Sequence, residues 1–135
     1  MLAFHARVIH DGTKIQWYRD RVEAWDRGER IAPVTMDVAW TRKCNAACNF
    51  CYAQLQSSDG HVITKKNALD YLEDAAEIGV KGISLISDGE STVVPWFDET
   101  IEYAGRLGIQ VGMSSNGVRL TRGVLERILP HLSYL

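Results

Sequence analysis

Cys44, Cys48 and Cys51 are the only cysteines in the sequence. They fall within one short run, Cys44-Asn45-Ala46-Ala47-Cys48-Asn49-Phe50-Cys51-Tyr52. Thiolates spaced C-x3-C-x2-C can all turn inward from one loop and grip a single metal centre. Three is one fewer than a closed tetrahedral site or a fully ligated iron–sulfur cluster takes. An open metal position of that kind is where a small molecule can bind and react.

Other chemistries compete for the same residues. Cysteine packs like a small hydrophobe, so all three thiols can simply be core. A structural zinc site is the stronger rival, although zinc usually takes four ligands. Of His5, His10, His61 and His131, only His61 lies near enough in sequence to supply a fourth. A disulfide framework fails on the odd cysteine count and on the absence of a secretory signal.

The elements that must position the loop alternate strand with helix. Thr13 is placed to cap a first helix with Ile15, Tyr18, Val22 and Trp25 on its inner face and Gly28 as its stop. Arg19, Asp20, Arg21, Glu23 and Asp26 form the expected solvated side. Val34 to Trp40 reads as a largely buried first strand, and the cysteine loop follows it directly. Residues 53–63 read as loop, with its turn at Ser57-Ser58-Asp59-Gly60. Thr64 caps a second helix with Ala68, Tyr71, Leu72, Ala75 and Ile78 inward, ended by Gly79. A second strand, Gly82 to Ser87, runs into the turn Asp88-Gly89-Glu90-Ser91-Thr92.

The next helix begins near Pro95, turns Phe97, Ile101 and Ala104 inward and ends at Gly108. Ile109 to Ser114 forms strand three, with Ser115-Asn116-Gly117 as its turn. Thr121 caps a last helix carrying Val124, Leu125, Ile128 and Leu129, which Pro130 ends. Ser133-Tyr134-Leu135 opens a fourth strand. Such alternation predicts an α/β fold with a parallel sheet, either a curved barrel or an open doubly wound sheet. Both place chemistry at the C-terminal ends of the strands, where the cysteine loop and the two later turns all fall.

Composition sets the remaining bounds. With 46% hydrophobic residues the chain can bury a sizeable core, and a formal charge of −2 gives no support to general nucleic-acid binding. No stretch approaches the roughly 20 apolar residues that span a bilayer. Free thiols and an oxygen-sensitive centre predict a reducing cytoplasm.

These residues resemble the radical S-adenosylmethionine (SAM) superfamily over roughly 34–135. Cys44-x3-Cys48-x2-Cys51, with Phe50 before the last cysteine, is similar to that superfamily's cluster loop in spacing and in its place after the first strand. Asp88-Gly89-Glu90 resembles its Gly-Gly-Glu motif, with Asp88 where the first glycine would be. Ser115-Asn116-Gly117 is similar to a Thr-Asn-Gly turn of the peptide-modifying, SPASM-like members, and Pro33-Val34-Thr35 also resembles them. The resemblance implies a [4Fe-4S] cluster held by Cys44, Cys48 and Cys51, with SAM on the fourth iron. Reductive cleavage of SAM would give a 5′-deoxyadenosyl radical that takes hydrogen from a peptide or small-molecule substrate.

It further implies that Phe50 and Tyr52 pack near the adenine, and that Gly89 and Glu90 meet the methionine amino group beside the extra carboxylate of Asp88. Ser115 and Asn116 would bond the ribose or carboxylate, or form only a turn. Arg42 and Lys43 either stabilise the cluster's charge or face solvent, and Trp40 either lines the cavity or plugs the barrel. An electron donor such as flavodoxin or ferredoxin is the implied partner. The expected architecture is a helical segment, 1–33, followed by the N-terminal half of a partial (β/α) TIM-like barrel, 34–135. The rest of the barrel would come from beyond Leu135 or from a second polypeptide, so poor solubility of the 135-residue chain alone is expected. A non-catalytic cluster- or SAM-binding module and a zinc-binding interaction protein remain the alternatives.

Overall fold

The computed structural model describes residues 16–52, 61–86 and 88–135. Eight elements alternate: α1 (Arg19–Asp26), β1 (Thr35–Asp37), α2 (Lys65–Glu77), β2 (Gly82–Leu85), α3 (Phe97–Arg106), β3 (Gln110–Met113), α4 (Arg122–Ile128) and β4 (Leu132–Tyr134). The four strands form one sheet in the order β1-β2-β3-β4, and every neighbouring pair is parallel. A doubly wound sheet reverses its strand order at a switch point. This order never reverses, so the sheet is a sector of a singly wound (β/α) barrel.

Side chains alternate across the strands and sort the two faces. Ile83 pairs with Val111 and Leu85 with Met113, and all four are buried against the helices. Helix α2 contributes Ala68, Leu72 and Ala75, helix α3 contributes Phe97, Ile101 and Ala104, and α4 contributes Ile128. Ser84 and Gly112 alternate to the opposite face, where the Tyr134 ring lies over Gly112 so closely that a Cβ there would fall 2.7 Å from its Cζ. Thr64 and Thr121 cap α2 and α4 by accepting from the backbone N–H groups of Asn67 (3.2 Å) and Val124 (3.4 Å). Gly28, Gly79 and Gly108 end α1, α2 and α3 at the expected places, all at positive φ.

Several sequence expectations are corrected. The first strand is shorter and less buried than Val34 to Trp40: β1 is half-buried at Thr35 and Met36 and exposed at Asp37, and only Trp40 is enclosed. The reason is its position at one edge of the sheet, with β2 as its single neighbour. Trp25 is 66% exposed, and α1 buries no residue completely. Arg21 is not simply solvated, since it donates to the carbonyls of Ala32 and Pro33 (3.1 Å each) and of Gly79, tying α1 to the end of α2. Ile78 and Leu129 are exposed because each sits at the end of its helix, past the last turn in contact with the sheet. The cap at Thr13, the inward Ile15, the loop turn at Ser57-Ser58-Asp59-Gly60 and the strand residue Ser87 lie outside the described residues.

Candidate functional site

Three strand ends meet above the sheet. The chain leaving β1 passes through Trp40 and Thr41 into the cysteine loop. The turn after β2 carries Asp88, Gly89 and Glu90, and the turn after β3 carries Ser115 and Asn116. Together they line a cavity of about 220 Å³ whose walls include Cys44, Cys48, Cys51, Tyr52, Asp88, Gly89, Glu90, Ser115 and Asn116. Nine of the ten sequence-predicted site residues are thus gathered around one space. Phe50 is the exception: it is 87% exposed and lies off the cavity.

The cysteine loop is fastened at its base. Trp40 is 1% exposed and anchored in the core, edge-on to Tyr71 and Trp96 with ring centroids 6.2 Å away in each case. Thr41 Oγ1 donates to the His61 carbonyl (3.1 Å) and accepts from the Lys43 N–H (2.9 Å). The Lys43 carbonyl accepts from the Glu90 N–H at 2.9 Å, joining the loop to the β2 turn. Gly89 makes this contact possible. Its φ is +74°, and a Cβ would stand 2.7 Å from the Lys43 carbonyl oxygen, with Thr41's carbonyl closer still. All three cysteines are free thiols, with Cys44 exposed and Cys48 and Cys51 half-buried. Among the described residues no three His, Cys, Asp or Glu side chains converge on one point at single-ion distance.

Glu90 locks the two later turns together. Its side chain is 4% exposed. Oε1 accepts from the Thr92 N–H (3.1 Å), the Thr92 hydroxyl (2.6 Å) and the Ser115 hydroxyl (3.0 Å), while Oε2 accepts from the Asn116 N–H (2.8 Å). Burial pushes its pKa up, but the bonds from Thr92, Asn116 and Ser115 together outweigh burial and hold it below the ordinary value. A carboxylate met by four internal donors has little capacity left for a ligand's ammonium.

Asp88 is placed differently. It lines the cavity, and its partners among the described residues are long ones, Arg42 Nε at 3.5 Å and the Tyr52 hydroxyl at 3.4 Å. Partial desolvation and then the Asp88 charge push the Tyr52 phenol above its ordinary pKa. Asn116 is engaged within the chain: Oδ1 accepts from the Val118 N–H (3.1 Å), and Nδ2 donates to Asn45 Oδ1 (2.8 Å) and lies 3.9 Å from Cys44 Sγ. Sequence reasoning missed Thr92 and Asn45. Thr92 was findable, since a carboxylate followed two residues later by a threonine matches a local side-chain cap. Asn45 carried no local signal, because its partner is 71 residues away.

Comparison with known proteins agrees with this geometry. The Radical SAM superfamily pattern matches residues 38–133. The S-adenosylmethionine-dependent nucleotide dehydratase of Flammeovirga pacifica is 31% identical over 114 residues, which cover 80% of this chain and 38% of that protein. Mycofactocin maturase MftC of Mycobacterium tuberculosis is 31% identical over 107 residues, covering 79% of this chain and 27% of that protein. The chain thus spans less than two fifths of the length of these curated relatives. Among solved structures, Streptococcus suis SuiB bound to S-adenosylmethionine aligns with a TM-score of 0.67 at 17% identity, over 90% of this chain and 28% of that one. BtrN in complex with AdoMet and 2-DOIA aligns with a TM-score of 0.67 at 14% identity, over 78% of this chain and 46% of that one. The matched span contains Cys44, Cys48 and Cys51, spaced as in enzymes that hold a [4Fe-4S] cluster and SAM. With its sheet sector, its cysteine loop and this match over most of its length, the chain belongs to the radical SAM superfamily.

Proposed function

We propose that this chain is the cluster- and SAM-binding part of a radical enzyme that cleaves SAM reductively and removes hydrogen from a substrate. The observation that carries this reading is the shared cavity, where three thiols, the Asp88-Gly89-Glu90 turn and the Ser115-Asn116 turn meet at the C-terminal ends of parallel strands. The donor set fits the cofactor: three thiols on one wall, with no fourth cysteine in the chain, suit a cluster with one iron left for another ligand. When bound, the [4Fe-4S] cluster supplies the electron for breaking a carbon–sulfur bond of SAM.

The chain's own residues bind and orient. Cys44, Cys48 and Cys51 hold the cluster. Gly89 lets the β2 turn come close to the loop, and Asp88, not the saturated Glu90, offers a carboxylate to the methionine ammonium. Tyr52 lies at the cavity wall, suited to pack against the adenine, whereas Phe50 would have to turn inward to do so. Ser115 is tied to Glu90 and keeps that turn at the rim.

A peptide is the substrate class best supported, by SuiB, whose fold is shared and which has been solved bound to precursor peptide SuiA. The nucleotide dehydratase keeps a nucleotide as the rival. Residues 1–33 would precede the core at 34–135. A flavodoxin or ferredoxin is the proposed electron source, and the remaining barrel strands would complete the cavity. Among the described residues no helix is long and apolar enough to cross a membrane, and the free thiols favour a reducing, cytoplasmic setting.

The test is anaerobic reconstitution, reduction and addition of SAM. The reading predicts 5′-deoxyadenosine and methionine in equal amounts. A fully loaded cluster that leaves SAM intact under reduction contradicts it and favours a non-catalytic binding module.

A further inference from the structure

The amide of Asn116 has one orientation that satisfies its neighbours. One end faces the Val118 N–H at 3.1 Å, and only an acceptor is satisfied there. That end is therefore Oδ1, so the NH2 group must face the cysteine loop. There it donates to Asn45 Oδ1 at 2.8 Å and stands 3.9 Å from Cys44 Sγ, within reach of a long N–H···S bond. Backbone and side chain are pinned independently, since Glu90 Oε2 accepts from the Asn116 N–H at 2.8 Å. A donor is thus held against one specific thiol by a buried carboxylate from a different turn.

Hydrogen bonds to the sulfurs of an iron–sulfur cluster are among the factors that set its reduction potential. A donor to a thiolate ligand stabilises the reduced form, which carries one more negative charge, and so raises the potential. On the reading that Cys44 is a cluster ligand, we propose that Asn116 is a positioning residue that raises the cluster's reduction potential through Cys44. Glu90 acts one step further out, by holding Asn116 in place. This differs from a contact with the ribose or carboxylate of SAM, for which the Asn116 amide has little capacity left once Val118, Asn45 and Cys44 are met.

The test is redox titration of the reconstituted protein, followed by electron paramagnetic resonance, with iron and sulfide measured on the same samples. Asn116→Ala is expected to keep its cluster while the ratio of reduced to oxidised cluster at a fixed potential falls about three- to tenfold, the worth of one hydrogen bond. Asn116→Asp keeps the shape and puts a charged acceptor where the donor was, so its fall should be at least as large. Asn45→Ala removes the other acceptor and leaves the contact to Cys44, so its potential should match the parent. Clusters in Asn116→Ala and Asn116→Asp that titrate like the parent overturn the inference. Loss of the cluster from both variants also overturns it, and makes Asn116 a brace for the loop. Absence of iron and sulfide from the parent protein would instead overturn the cluster reading on which the inference rests.

Discussion

The sheet interior and the cysteine loop are built on opposite terms. Ile83, Ile101, Ala104, Val111 and Met113 are fully buried and bind the strands to the helices. From Cys44 to Tyr52 only Cys48 and Cys51 are even half-buried. The loop is tied where it meets the rest, at Thr41, Lys43 and Asn45, and a turn bond from the Cys51 N–H to the Cys48 carbonyl at 3.0 Å closes its middle. Hydrophobic burial holds the strands to the helices. The frame ends in a rim, Glu90 with Asn116, that faces the more exposed cysteine loop across the cavity.

Breaking the frame should have the largest effect. Ile101→Ala removes a fully buried side chain and should cost about 2–5 kcal/mol in chemical denaturation of cluster-free protein. Unchanged stability would mean that the helix layer is not what holds the sheet.

The rim comes next. Glu90→Gln points an amide donor at groups that are themselves donors and should cost about 1–3 kcal/mol. Its pH dependence has a definite sign. The folded-state pKa lies below the ordinary glutamate value, so the carboxylate contributes stability that is present above that ordinary value and is lost as pH falls through the lower folded value. The acid limb of a stability–pH profile should therefore flatten in the glutamine variant, and an unchanged limb would remove Glu90 from the account.

The loop comes last. Cys48→Ala should move the stability of cluster-free protein by no more than about 0.5 kcal/mol, yet abolish bound iron and sulfide. Retention of both would sink the ligand assignment.

The same contrast explains what the sequence disclosed. Elements that bury a periodic face were legible: Thr64 and Thr121 as caps, Phe97, Ile101 and Ala104 as one inner face, and a fourth strand, expected from Ser133 and found one residue earlier, at Leu132–Tyr134. Misreadings fall where periodicity outruns contact. Trp25, Ile78 and Leu129 continue their helices' apolar patterns but stay half or more exposed. Arg21 looked solvated because its three carbonyl partners come from other segments. At the site, cysteine spacing and turn positions were readable because a (β/α) unit puts each turn at the same end of the sheet. The division of labour between Asp88 and Glu90 was not. Both are carboxylates in one turn, and only the placement of Thr92, Ser115 and Asn116 makes one saturated and leaves the other at the cavity wall.

The central claim is that three cysteines leave one iron open to SAM. Electron paramagnetic resonance of anaerobically reconstituted, dithionite-reduced protein, with and without SAM, tests it most directly. The account predicts a reduced-cluster signal whose shape changes when SAM is added. A cluster signal indifferent to SAM, or bound zinc in place of a cluster, would contradict it.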